Sequence, residues 1–419
     1  MRKSHRKDCT MNIFNCKKVA IIFFSFSLIW SINTFVEAAP ARDSYDRTVH
    51  QETVSTDKKN DEVQKETLDN KKESNTEPEE PEENPKITEN EIAPGLTEKI
   101  YKYKSDDGPV TVYFIEADKN SYYIKSALDR DLIPGRQITS DITKSHNAVA
   151  GINASYFAAN GEIIGVMKLD GKIVGTTYYE RASIGVMPDG SLHFGKINYQ
   201  GYVTLNGVTE SVSGVNCFRD KDCLIIYNKF YGDTTKTNEY GMEYTVQNGV
   251  VTAINKSNSP IPPDGVVISV HGKAMEAFKN IMVGDTADVF ETLGEPWDSC
   301  KEILGAGPRL IENGQVHVTS KEEDFPANIS FGRAPRTGFG VTKEGNYLFA
   351  VADGRQKDHS IGCTLTEFAK IMLSFGAVDA LNFDGGGSST MVLKGNLVNS
   401  PSDGQERAVA SALLLMERE

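Results

Sequence analysis

The stretch TLTEFAKIMLSFGAVDALNFDGGGSSTMVL, residues 364–393, decides how the chain folds. Thr364 and Glu367 stand at capping-box spacing, and Leu365, Phe368, Ala369, Met372 and Leu373 recur at helical intervals until Gly376 supplies a stop. VDALNF then reads as a short buried strand, and STMVL as a second strand after a glycine loop. That loop holds one carboxylate, Asp384, followed by Gly385, Gly386 and Gly387 and by the hydroxyls of Ser388, Ser389 and Thr390. A simple hairpin needs only one or two turn residues, and consecutive glycines cost backbone entropy. A bare main chain lets an anionic ligand come close, with N–H groups lining a concavity. A carboxylate at the strand end can act as base, nucleophile or metal ligand. No Gly-Lys-Ser/Thr ending and no following helix are present, so this is not the phosphate loop of nucleotide-binding proteins. The plainer reading is a wide turn without a ligand.

Around this stretch the texture is that of sheet. KLDGKIV (168–174), MPDGSLHFG (187–195) and TKEGNYLFAV (342–351) read as β-hairpins, GVVISV (265–270) and TADVFETL (286–293) as strands, and DITKSHNAVA (141–150) as a short helix. The fold class expected is α+β, a sheet-dominated mixed domain with few helices.

Other polar clusters accompany the glycine loop. Arg333, Arg336 and Arg355 bracket one expected hairpin, and arginine suits carboxylate and phosphate oxygens. Arg355 follows Asp353-Gly354 at a strand end. In AGINASYF (150–157), Asn153 ends an apolar strand and Tyr156 and Phe157 follow, an amide and a ring that together suit a sugar or a buried turn. Asn216, Tyr227, Asp233 and Thr235 surround another strand end, and Asp403 and Arg407 lie near the C-terminus.

The 419 residues carry a formal net charge of −13. Residues 1–38 contain six basic and two acidic groups, residues 39–91 eight basic and sixteen acidic, and the remainder is itself acidic. A folded region of that sign lacks the footprint of a nucleic-acid binder. A basic start, an apolar run from Val19 to Trp30 and small residues at Val36 and Ala38 fit a signal peptide or membrane anchor over 1–38. Residues 39–95, with KKESNTEPEEPEENPK at their heart, read as a disordered charged linker. The catalytic domain is expected over 96–419, outside the cytoplasm, secreted or on the outer face of the membrane, with membrane contact only through the N-terminal segment. Cys217, Cys223, Cys300 and Cys363 are then an even set in an oxidising compartment, and disulfides are expected in one of three pairings.

RAPRTGFGVTKEGNYLFAVADGR, GCTLTEF, LNFDGGGSSTMV and VNSPSDGQERAVASALLL together resemble the phosphodiester glycosidase family, and GINASYF, YGDTTKTNEYG and IPPDGVVISVHG are similar to its earlier blocks. The resemblance spans roughly residues 110–417. It implies hydrolysis of a sugar-1-phosphodiester at the sugar C1–O bond, in envelope or exopolysaccharide glycans. It also implies that Asn153, Thr235, Arg336, Asp353, Arg355, Asn382, Asp384, Ser388, Ser389 and Arg407 are site positions. In that scheme Asp384 is catalytic, with Asp353 as the second carboxylate and Arg355 beside them. Asn153, Thr235, Arg336, Asn382, Gly385, Gly386, Gly387, Ser388, Ser389 and Arg407 bind substrate. No cofactor is required by the sequence. A calcium or magnesium ion held by aspartate and backbone oxygens is compatible with it, while zinc-like histidine clusters and EF-hand spacing are missing. The partner expected is a phosphodiester-linked glycan. A non-catalytic glycan-binding envelope protein and a P–O-cleaving phosphodiesterase are the competing functions.

Overall fold

A computed structural model describes residues 85–176 and 179–418, so the expected signal segment and most of the expected linker lie outside the described residues. The structure is dominated by antiparallel sheet. The largest sheet has eight strands in the order Lys86–Ala93, Leu96–Ser105, Gly108–Ala117, Tyr347–Ala352, Arg336–Thr342, Ala377–Asn382, Arg309–Glu312 and Gln315–Val316. Its middle strands bury both faces. In Gly108–Ala117, Val112 and Phe114 turn to one core and Tyr113 and Ile115 to another, which is why that run is apolar throughout rather than alternating. The first strand corrects the linker boundary: Lys86–Ala93 pairs with Leu96–Ser105 across a turn at Gly95, so ordered sheet begins inside the stretch read as disordered.

A second sheet, of five strands, runs Asn396–Leu397, Met391–Leu393, Ala150–Asn153, Ser411–Glu417 and Tyr122–Leu128. A third runs Lys172–Gly175, Met167–Leu169, Glu302–Gly305, Ala182–Val186 and Leu192–Lys196. These two sheets and the largest one share a single core, with Ile115, Phe349 and Leu381 from the first meeting Ile152 and Leu413 from the second and Met167, Ile184 and Leu304 from the third. Residues 200–292 build a separate core from a further five-stranded and a three-stranded sheet, around Val203, Leu205, Ile226, Tyr244, Ile268 and Phe278.

The expected helix is present as Leu365–Ser374, with Thr364 and Glu367 forming the full capping box and Gly376 at φ 93° ending it. Phe368 and Met372 press on Gly338 of the largest sheet, where a Cβ would come within 2.8 Å of the Phe368 ring. The short helix expected near residue 141 spans Thr139–Ser145 and lays Ile142 against Ala412 and Leu414. The three expected hairpins form, and Asn206-Gly207, Asn248-Gly249 and Asn313-Gly314 close others through consecutive positive-φ residues, a turn signal the sequence carries openly. Disulfides do not form among the described residues. Cys217, Cys223, Cys300 and Cys363 are thiols, with Cys300 and Cys363 buried in separate cores.

Candidate active site

The glycine loop is the seam between two sheets. Strand Ala377–Asn382 pairs with Arg336–Thr342, placing Leu381 opposite Phe339 and Asn382 opposite Gly338. The chain then leaves the largest sheet: Phe383 N–H donates to Thr337 O at 2.8 Å, and Asp384 N–H to Ala154 O, in the second sheet, at 2.9 Å. It continues as Met391–Leu393, paired with Ala150–Asn153. Asp384 therefore sits where the two sheets meet.

Asn153 clamps this crossing. Its Nδ2 donates to Asp384 O at 2.6 Å, and its Oδ1 accepts from Thr337 Oγ1 at 2.8 Å and from Thr390 N–H at 3.0 Å. The side chain is fully buried and engaged at both ends. It positions the loop, which replaces the expectation that it reads a sugar hydroxyl. Asn382 is likewise buried, its Nδ2 donating to Tyr156 Oη at 3.0 Å and to Phe383 O at 2.6 Å.

The Asp384 carboxyl is half-buried, and burial pushes it up to about 6 against the lowering pull of the Ser388 hydroxyl, the Arg407 guanidinium and the Gly385 N–H. Arginines roof the bare backbone beside it. The Arg355 guanidinium lies over Gly386, where a Cβ would stand 3.2 Å from Nη2, and Arg407 occupies the place a Gly387 Cβ would need. Gly385 instead faces Pro335 O, which a Cβ would approach to 2.8 Å. Gly385 is thus required by the backbone packed on it and Gly386 by its φ of 63°, while at Gly387 only the tips of flexible side chains stand in the way. Most loop N–H groups are also taken: those of Gly386, Ser388 and Ser389 go to Pro335 O, Gly385 O and Gly386 O. The main chain, where the sequence suggested anion binding, therefore has few N–H groups left to offer, and the guanidinium groups of Arg355 and Arg407 lie beside it.

The arginines differ in how they are neutralised. Arg407 donates through Nε and Nη2 to Asp403 at 2.9 and 2.7 Å. Arg336 is buried and donates only to carbonyls, those of Cys363, Ile329 and Gly332, so burial lowers its pKa. Among the described residues Arg336 and Arg355 have no carboxylate partner. Arg333, the third arginine of the hairpin, is spent on Asp107 and Glu367. Three buried polar atoms beside the loop, Asn382 Oδ1, Ser389 Oγ and Thr390 Oγ1, have no hydrogen-bond partner. Such orphans cost about 1–3 kcal/mol each.

Asp353 is a hub rather than a reacting group. Its buried carboxylate accepts from His359 Nε2 at 2.7 Å, Asn399 Nδ2 at 2.9 Å and Ser400 N–H at 3.0 Å, and Tyr113 also bonds it. It ties the turn bearing Arg355 to the segment that leads to Arg407. Thr235 lies in another network altogether, with its hydroxyl on the buried Glu243 at 3.0 Å together with Thr237, Ser259 and Ser269. The structure gives Thr235 no contact with the glycine loop. Asn216 also turns inward, to Val174 O and Asn228.

Tyr156 and Arg181 complete the neighbourhood. Tyr156 Oη lies 3.0 Å from Gly307 O, and burial with the Asp384 charge raises its pKa well above the phenol range. The Arg181 guanidinium stands 4.0 Å from the Phe325 ring centre, 4.4 Å from Tyr179 and 5.5 Å from Tyr156. Arg181 escaped sequence reasoning because its aromatic partners Tyr156 and Phe325 are far off in the chain; only Tyr179, two residues away, gave a signal. Among the described residues no three His, Cys, Asp or Glu side chains gather as metal ligands.

A raised carboxyl group on a loop flanked by Arg355 and Arg407 is an arrangement suited to acid–base or nucleophilic chemistry on an anionic substrate. The comparisons with known proteins narrow that class. Residues 240–416 match the sequence model of the phosphodiester glycosidase family. The matched part contains Arg336, Arg355, Asp384 and Arg407, whereas Asn153, Tyr156, Arg181 and Thr235 precede it. Over 111 residues the chain is 34% identical to N-acetylglucosamine-1-phosphodiester alpha-N-acetylglucosaminidase of Bos taurus and 33% to that of Homo sapiens. Each match covers 24% of this chain and 21% of the relative, so the chain spans about a fifth of those enzymes. In fold, it is similar to a Synechocystis protein of solved structure (TM-score 0.71, 23% identity, 80% of this chain and 64% of that one). A protein from Burkholderia pseudomallei is also similar (TM-score 0.63, 23% identity, 74% of each).

Proposed function

We propose that the protein is an extracytoplasmic hydrolase that cleaves a sugar-1-phosphodiester at the sugar C1–O bond. The observation that carries this reading is Asp384, a carboxyl with raised pKa acted on by the Arg407 guanidinium, on a glycine loop that Arg355 covers at Gly386 without a carboxylate partner among the described residues. The family match supplies the substrate class.

Arg336, Arg355 and Arg407 hold the phosphodiester oxygens. Ionised Asp384 removes a proton from a water that attacks C1, or attacks C1 itself to give a glycosyl ester whose C1–O bond a water then hydrolyses, releasing the sugar and the carboxylate. The C1–O bond breaks, and its electron pair leaves with the phosphate as a phosphomonoester. That leaving group is stable without strong protonation, so the demand falls on stabilising charge at C1 and on the phosphate rather than on a second carboxyl acid. Asp353, closed off by its four donors, is not called upon. Tyr156, Phe325 and Arg181 form the wall against which the sugar is placed. A calcium or magnesium ion held by aspartate and backbone oxygens is compatible with this step, and turnover with and without a chelator decides whether one takes part.

Incubation with a chromogenic sugar-1-phosphodiester in oxygen-18 water tests the reading. Label in the released sugar is the expected result. Label in phosphate assigns P–O cleavage instead, and binding without product assigns a glycan-binding protein.

A further inference from the structure

A hollow of about 210 Å³ opens elsewhere on the molecule and shares no residue with the glycine-loop site. Four segments enclose it: Lys125 and Ser126 of an edge strand, Arg130–Leu132 of the following turn, Leu169 and Asp170 of a hairpin tip, and Lys229 with Phe230. Its walls are fixed. Ile133 N–H donates to Phe230 O at 2.6 Å, Phe230 N–H to the Asn228 side chain at 3.1 Å, and the buried Glu302 carboxylate accepts from Ser126 and Asp170 N–H.

In an acidic chain this hollow gathers three cations. Arg130 is held at 3.1 Å by Asp129, and Asp131 is drawn to His146 at 3.9 Å. Lys125 and Lys229 form no ion pair among the described residues, although Lys229 Nζ rests 5.2 Å from the Phe230 ring centre. The opposing acids are Asp131, whose carboxyl is held low chiefly by His146 and also by the charges of Lys125 and Lys229, Asp170 at the rim and Glu302 beneath, so the lining still carries one more cation than ionised acid. Burial pushes Glu302 up to about 7, which limits the negative charge the floor presents. Leu132, Leu169 and Phe230 supply apolar wall. The volume lies below the usual range for drug-sized ligands and suits a single ring.

We infer that this hollow is a second binding site, for a small organic anion in which a phosphate or carboxylate is carried on a ring of monosaccharide size. The anion meets the ammonium groups of Lys125 and Lys229, and the ring lies against Leu169 and Phe230. The inference rests on no part of the catalytic reading.

Calorimetric titration of the full chain with glucose 1-phosphate, glucuronate, glucose and inorganic phosphate tests it, in wild type, in Lys125→Ala/Lys229→Ala and in Arg355→Ala. Binding of glucose 1-phosphate or glucuronate that weakens by about ten- to a hundredfold in the lysine variant but survives in Arg355→Ala is expected. Turnover of a small chromogenic phosphodiester should be unaltered by the lysine changes. The two anionic sugars separate phosphate from carboxylate as the preferred group. Equal binding of bare phosphate would reduce the site to a plain anion trap and overturn the ring assignment. Unchanged affinity in the lysine variant, or in Lys125→Gln/Lys229→Gln if the alanine form melts early, would overturn the site itself.

Discussion

The side-chain amide of Asn153 donates to the carbonyl oxygen of Asp384 at 2.6 Å, across the boundary between two sheets. The same residue accepts from Thr390 N–H, so one buried side chain holds both ends of the loop that bears the candidate catalytic group. Asn153→Ala is expected to strand buried partners at about 1–3 kcal/mol and to slow turnover with little change in KM. Denaturation and steady-state kinetics on one preparation check both.

Asp384→Asn separates chemistry from stability. Turnover should fall about 10²–10⁴-fold while folding is kept. The carboxyl is raised to about 6 in the folded protein, so the native state binds the proton more tightly than the unfolded chain. Stability from this group is greatest at low pH and declines as pH rises from the ordinary carboxylate range through about 6. At pH 8 the asparagine variant should therefore melt no lower than wild type. Activity follows the opposite course, rising with pH through about 6 as Asp384 ionises.

Asp353→Asn should behave differently. Its carboxylate satisfies four donors, so the substitution is expected to lower Tm and turnover together. A variant with full stability and no activity would restore Asp353 to the chemistry.

Arg355→Ala is expected to reduce kcat/KM about 10²–10³-fold without loss of stability, because the exposed guanidinium has no carboxylate partner to leave behind.

Glu302 provides a test remote from the loop. Its folded pKa is raised to about 7 by burial, so the native state loses stability as pH climbs from the ordinary carboxylate range to about 7 and then levels off. Glu302→Gln should gain on wild type between pH 5 and pH 8 in thermal melts, whatever it costs at the lower pH.

The helix at Leu365–Ser374, the strand delivering Asp384 and the hairpins were legible because each is a local pattern: a capping box, an apolar run, a two-residue turn. The arginines at 336, 355 and 407 were singled out by sequence blocks, and the structure places Arg355 and Arg407 against the glycine loop. The pairing of Arg333 with Asp107 and Glu367 was not legible, since those partners are chosen by tertiary approach, whereas Asp403 lies four residues from Arg407. Asn153 and Thr235 look alike in sequence, as polar residues at strand ends. One braces the loop while the other serves a buried glutamate, and only packing separates them. Lys86–Ala93 was hidden because an edge strand with exposed side chains reads like charged linker.

Because Asp384 stands on the crossing between sheets, its aim depends on their mutual angle as much as on its own neighbours. A slight shear of one layer against the other would misdirect the carboxylate while nearly all backbone pairing survived. Inactivation by mild urea should accordingly precede the loss of circular dichroism, making turnover the more sensitive gauge of how tightly the layers are locked.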